Sequence, residues 1–212
     1  PIEQAGIYKD HGFKHLHIVD LDGALTGETV NLDIVQEIVA KFNLNIEIGG
    51  GIRNFESIKK YMDAGVEKVI LGSAAIKDKF FLKEACTKFP NRIALGLDAK
   101  NQHLLVSGWK KNSYQLTLDY LKEVNTYGVS RLIYTDIDRD GRKQSPNFGE
   151  TSKVADISNC PVIISGGVSS IDDIKKAKEL NNNNIEGIIV GKAIYDGDIK
   201  LDDLAREMDA EK

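Results

Sequence analysis

The segment IGGGIRNFESIKK, from Ile48 to Lys60, returns later in the chain as ISGGVSSIDDIKK, from Ile164 to Lys176. Gly50 and Gly51 thus fall on Gly166 and Gly167, at an offset of 116 residues. The same offset carries Gly12 onto Gly128 and Asp20 onto Asp136, so that VDLDG aligns with TDIDRDG. VILGSAAI (Val69–Ile76) then has its counterpart in GIIVGKAI (Gly187–Ile194), with Gly72 on Gly191, after four asparagines at 181–184 have lengthened a connection. A repeat that spans several elements restricts the fold more than any single motif does.

Each unit has one internal order, a short apolar run bounded by Gly or Asp and then a stretch of helical periodicity. The apolar runs predict strands near 15–20, 45–49, 68–71, 92–97, 131–136, 161–165 and 187–190. Helices are predicted near 2–11, 31–42, 54–64, 80–88, 113–127, 149–157, 170–180 and 200–208. Runs such as PVIIS and GIIVG are apolar throughout, as strands covered on both faces are. Strands alternating with helices imply a parallel sheet with helical crossovers, and the doubling favours a (β/α)8 TIM barrel of two half-barrels. A Rossmann sheet fits less well, because no GxGxxG opens the first helix. The chain is expected to form one domain, with half-barrels at about 1–92 and 93–212. Seven strands are predicted where a barrel has eight, and the repeat puts the absent first strand and its loop before Pro1.

Composition narrows the function classes. A net charge of −4 without a basic block leaves no electrostatic footprint for nucleic acid. No apolar run approaches membrane-spanning length, and no signal-peptide pattern opens the chain. Cys86 and Cys160 match no metal or redox spacing and are expected as free thiols in a reducing, cytoplasmic compartment.

In a (β/α) barrel the active site lies at the C-terminal ends of the strands, which is where both glycine pairs fall. Glycine allows close backbone approach to a ligand, and free amides at a helix start favour a phosphate dianion. The first half therefore offers Gly50, Gly51, Gly72 and Ser73 as a phosphate cradle, and the second offers Gly166, Gly167, Gly191 and Lys192. Asn54 and Ser170, the latter with Asp173, are candidate caps for the helices that follow. The competing assignment is that these glycines only make tight turns. Two matched cradles suggest a small-molecule partner with a phosphate at each end.

Asp98 shares a strand face with Ala94 and Gly96, while Ile93, Leu95 and Leu97 share the other, so its carboxyl should project into the barrel mouth. There it can serve as general acid or base, or cap the next loop. Asp136, Asp138 and Asp140 lack an EF-hand ligand pattern and, with Thr135, are expected to shape a substrate loop rather than hold a metal. Trp109, the only tryptophan, is either core or a lid residue that stacks on a planar ring. His15 and His17 are expected to be structural.

The segments HIVDLDGA, IEIGGGIR, VILGSAAI, GLDAK, SGW, YTDIDRDG, SGGVSS and IIVGKAI closely resemble the isomerase family of histidine biosynthesis, along the whole chain. That family converts N′-((5-phosphoribosyl)formimino)-5-aminoimidazole-4-carboxamide ribonucleotide, a bis-phosphate, to its ribulosyl form. The resemblance implies an Amadori rearrangement without cofactor or metal, by a monomer when complete. It makes Asp98 the acid that opens the ribose ring and puts the base on the absent first strand. It also implies that Trp109 stacks on the carboxamide-imidazole, that Arg53, Asp20 and Asp136 line the substrate, and that Thr135 supports the site. Three alternatives remain at this point: the cyclase subunit with the same fold, a bifunctional isomerase also acting on phosphoribosylanthranilate, and a non-catalytic sugar-phosphate-binding remnant.

Overall fold

The computed structural model describes residues 1–109, 111–180 and 184–209. Lys110 beside Trp109, Asn181–Asn183 and residues 210–212 lie outside the described residues. In chain order the elements are α1 (Ile2–Asp10), β1 (His15–Val19), α2 (Leu21–Thr26), α3 (Leu32–Lys41), β2 (Asn45–Gly49), α4 (Phe55–Asp63), β3 (Lys68–Leu71), α5 (Ser73–Lys77) and α6 (Lys79–Lys88). They continue with β4 (Ile93–Lys100), β5 (His103–Val106), β6 (Lys111–Leu116), α7 (Thr117–Val124), β7 (Arg131–Asp136), α8 (Phe148–Ile157), β8 (Val162–Ser165), α9 (Ile171–Glu179), β9 (Ile185–Ile188), α10 (Lys192–Tyr195) and α11 (Leu201–Asp209).

Seven strands pair in parallel in the order β1-β2-β3-β4-β7-β8-β9, and the β5–β6 hairpin branches from β4. This is the (β/α) barrel architecture that the repeat predicts. The sheet curls strongly. Arg131 of β7 donates to Glu47 of β2 at 3.1 Å, although β3 and β4 lie between those strands. Three strand spacings in a flat sheet would put them about 14 Å apart. The helical layer meets around the seam between the first and last units. His11 lies 3.4 Å from Asp202, and Phe13 packs against the cluster of Ile174, Ala193 and Leu204.

Strand parity sorts the core into two layers. Ile93, Leu95 and Leu97 join the large cluster between sheet and helices, whereas Ala94 faces inward with Ile70, Ile133 and Ile163. Inward residues become small or polar toward the C-terminal rim, where Gly96 and Asp98 follow Ala94. At β1 and β2, His17 Nδ1 meets Glu47 Oε1 at 2.9 Å, which satisfies that histidine structurally. Cys86 and Cys160 are free, and burial pushes the Cys86 thiol up to about 11.

Three predictions need correction. The helix predicted from 113 begins at Thr117, because the polar stretch before it pairs as β6 with β5. The strand predicted to end at 97 runs to Lys100, extended past the barrel by pairing with the hairpin. Short α2, α5 and α10 were not predicted, being too brief to show helical periodicity.

Candidate active site

Asp98 sits near the end of β4, in register with Thr135 of β7. The Trp109 indole Nε1–H donates to its Oδ2 at 2.9 Å, and the Thr135 hydroxyl donates as well. Burial pushes the Asp98 carboxyl above the ordinary aspartate range; the two donors pull it down, and the charge of Asp140 pushes it up again. Burial also raises Asp140, against a hydrogen bond from the Gly141 N–H. The mouth thus holds two carboxyls that keep a proton to higher pH than an exposed aspartate. Trp109 arrives there on a bend of three left-handed residues, Ser107 (φ 61°), Gly108 (φ 63°) and Trp109 (φ 67°). Such strain in two non-glycine residues needs tertiary support, and Ser107 N–H supplies some by donating to Ser73 Oγ at 2.9 Å.

The two glycine turns share one backbone. All four residues of the pairs have positive φ, and the caps of the helices behind them match, Asn54 at φ −150°, ψ 166° and Ser170 at φ −153°, ψ 167°. Gly72 and Gly191 also match, at φ −109°, ψ −107° and φ −118°, ψ −95°. What presses on the turns differs. A Cβ on Gly51 would stand 1.8 Å from the Gly23 carbonyl oxygen, whereas one on Gly167 would meet the Arg139 side chain and the Ser145 carbonyl at 2.8 Å. The second turn opens on a cavity of about 210 Å³ lined by Ser165, Gly166, Gly167, Gly191 and Lys192 and by Asp140, Gly141 and Lys143 of the β7–α8 loop. All four residues predicted for the second cradle therefore lie together. Those of the first are brought to one rim but on separate neighbours: Gly50 and Gly51 on the Asp20–Ala24 backbone, Gly72 beside Gly96, and Ser73 on Ser107.

Behind each turn stands an aspartate–asparagine pair that the sequence reading missed. Asn31 Nδ2 donates to Asp20 at 2.7 Å and Asn147 Nδ2 to Asp136 at 2.6 Å, and the two asparagines lie one repeat apart. The signal was available in that offset. Asp20 is 2% exposed and accepts from Gly23 N, Asn31 N, Asn31 Nδ2 and the Tyr61 hydroxyl. Burial would raise its pKa, but these donors outweigh it and hold the carboxyl below the ordinary range. In this structure the Asp20 oxygens are engaged by the loop itself and by Tyr61. Asp136 likewise accepts from Asp138 N and Asn147 Nδ2. Arg53 is exposed and donates to the Ala24 carbonyl at 2.9 Å, bracing the loop that carries α2.

Among the described residues no group of three His, Cys, Asp or Glu side chains is arranged to hold a metal ion, and no helix is long and apolar enough to cross a membrane.

Comparison with known proteins places the chain in a family. The family described as histidine biosynthesis protein matches residues 1–200. The chain is 78% identical over 210 residues to the 1-(5-phosphoribosyl)-5-((5-phosphoribosylamino)methylideneamino)imidazole-4-carboxamide isomerase of Pelagibacter ubique (strain HTCC1062), covering 99% of this chain and 87% of that relative. It is 44% identical over 203 residues to the isomerase of the same name from Clostridium botulinum (strain Hall), covering 96% and 83%. With the counterpart from Oceanobacillus iheyensis it shares 43% identity over 211 residues, covering 99% and 87%. With a doubled barrel, paired glycine turns and a rim carboxyl under a tryptophan, the chain belongs to the histidine biosynthesis protein family, alongside its imidazole-4-carboxamide isomerases.

Proposed function

We propose that this chain is an aldose–ketose isomerase of histidine biosynthesis that performs an Amadori rearrangement on the phosphoribosylformimino-aminoimidazole carboxamide ribonucleotide. The observation that carries this reading is the Asp98 carboxyl near the end of β4, bonded by the Trp109 indole and in register with Thr135, in a barrel that also bears two matched glycine turns. Relatives that match nearly the whole chain carry the isomerase name, which favours this reaction over the cyclase and over a binding remnant.

Asp98, protonated, gives its proton to the furanose ring oxygen as the C1–O bond breaks, leaving a protonated Schiff base at C1. Loss of the C2 proton then yields an enolamine. Reprotonation at C1 leaves a ketone at C2, so the reaction moves protons only and calls for no cofactor. Thr135 orients Asp98 through its hydroxyl. Trp109 stacks on the planar carboxamide-imidazole while its N–H holds the carboxylate that forms. Asp140 is the second titratable carboxyl of the mouth. Asp20 and Asp136 are ill suited to take the C2 proton, since donors of the chain already occupy them. The two phosphates are assigned to the two turns, one to the main-chain N–H groups of Gly50, Gly51, Gly72 and Ser73, the other to Gly166, Gly167, Gly191 and the ammonium of Lys192. Arg53 guards the first of these ends. The chain acts as one cytoplasmic domain and as a monomer, its halves at 1–92 and 93–212 each supplying one end of the site.

The test is turnover by the purified protein, followed by ultraviolet absorbance with a coupled cyclase. Asp98→Asn should lower kcat about 10²- to 10⁴-fold, the usual worth of a general acid, at unchanged melting temperature. Equal rates for the two proteins would remove Asp98 from the chemistry.

A further inference from the structure

The loop between β7 and α8 bends through three left-handed residues, Gly141 (φ 66°), Lys143 (φ 54°) and Ser145 (φ 68°). One repeat earlier, the counterpart of Lys143 is Gly27, also left-handed at φ 84°. The backbone therefore demands this conformation in both halves. Glycine meets it without strain in the first, and a lysine is held in it in the second.

The lysine side chain accounts for the difference. Its Nζ lies 2.9 Å from Asp196 Oδ2 and 2.6 Å from Asp198 Oδ2, in the connection that follows α10. Lys143 also lines the 210 Å³ cavity, whose other walls include Gly166, Gly167 and Gly191. The ion pair thus joins the loop on one side of the cavity to the chain just beyond Gly191 and Lys192 on the other. A second tie lies alongside, from Lys192 Nζ to the Gly141 carbonyl at 3.1 Å. In the first half the corresponding loop is closed differently, by α2 and the Arg53 bond to Ala24.

We propose that Lys143 is a positioning residue for substrate binding: its ion pair with Asp196 and Asp198 clasps the 137–147 loop across the second cradle and holds that wall in place around one phosphate. It acts through the loop and touches none of the reacting atoms. The inference rests on the assignment of this cradle to a phosphate.

Two variants separate the clasp from its backbone. Lys143→Gly copies the first half and removes the strain together with the charge. Asp196→Asn with Asp198→Asn leaves the loop sequence untouched. Both should speed hydrogen exchange at the amides of residues 141–145 and raise KM about fivefold, on the scale of an exposed ion-pair network, with kcat of the aspartate double variant within about twofold of the parent. Lys143→Arg should restore both readouts. The dissociation constant for inorganic phosphate, measured by calorimetry, should rise with KM. Exchange at 141–145 that stays at the parent rate in both variants would overturn the clasp, and faster exchange with unchanged KM and phosphate affinity would overturn its part in binding. If the parent binds phosphate but does not turn over, the proposed reaction fails, while weaker phosphate binding by both variants would still support the clasp.

Discussion

The two ends of the rim use one turn and two kinds of wall. Around Gly50 and Gly51 the wall is main chain: the Asp20–Ala24 turn, capped by a buried carboxylate with four donors, presses directly on the glycines. Around Gly166 and Gly167 it is made of side chains and a loop, with Arg139 holding the carbonyls of Gln144 and Ser145, Ser145 bonded to Asp173, and Lys143 pinned to Asp196 and Asp198. Duplication preserved the aspartate, the asparagine and the glycines, and let the bracing diverge. The first end is consequently built into the fold, whereas the second is closed by contacts that can be loosened without unfolding it.

That contrast breaks most sharply at the glycines. Gly51→Ala drives a methyl into the Gly23 carbonyl and should cost about 3 kcal/mol or more, enough to prevent folding in a marginally stable domain. Gly167→Ala meets the Arg139 Cβ and the Ser145 carbonyl at 2.8 Å, both on the β7–α8 loop, so the loop itself must give way; about 1–3 kcal/mol is expected, with weakened phosphate binding in a protein that still folds. Urea denaturation of the two variants measures the difference. Equal costs would mean that the two walls are equally rigid.

The aspartates give a second version of the same test. Asp20→Ala strands buried donors, including the Tyr61 hydroxyl, and should destabilise by about 3–5 kcal/mol, against about 1–2 kcal/mol for Asp136→Ala with its two donors. The pH dependence has a definite sign. The folded Asp20 pKa is depressed, so its contribution is complete above the unfolded value of about 3.9 and is lost as pH falls through the lower folded value. The gap in urea midpoint between parent and Asp20→Asn should therefore close on acidification below that window. A gap that persisted would place the stabilisation elsewhere than in the charge.

Much of this was legible because the repeat gave two independent views of each element. The strands at 45–49, 68–71 and 131–136 fall where the apolar runs put them, and the parity of Ala94, Gly96 and Asp98 correctly turned that face inward. The grouping of Gly166, Gly167, Gly191 and Lys192 around one cavity also followed from spacing alone. The hairpin was not legible, since KNSYQL is polar and becomes a strand only by pairing with β5. Nor was the spending of Asp20 on its own loop, because a carboxylate at a strand end looks the same in sequence whether it meets a ligand or an asparagine eleven residues on. Lys143 escaped notice for a related reason: its partners lie 53 and 55 residues away, in a connection with no motif of its own.

The central claim is that both turns seat phosphate, the first on a fixed wall and the second on a clasped one. Amide chemical shifts followed during titration with inorganic phosphate test it directly, in the parent and in Lys143→Gly. The account predicts saturable shifts at Gly50, Gly51 and Gly72 and at Gly166, Gly167 and Gly191, with the second group alone losing affinity in the variant. Shifts absent from both groups, or an equal loss of affinity in both, would contradict it.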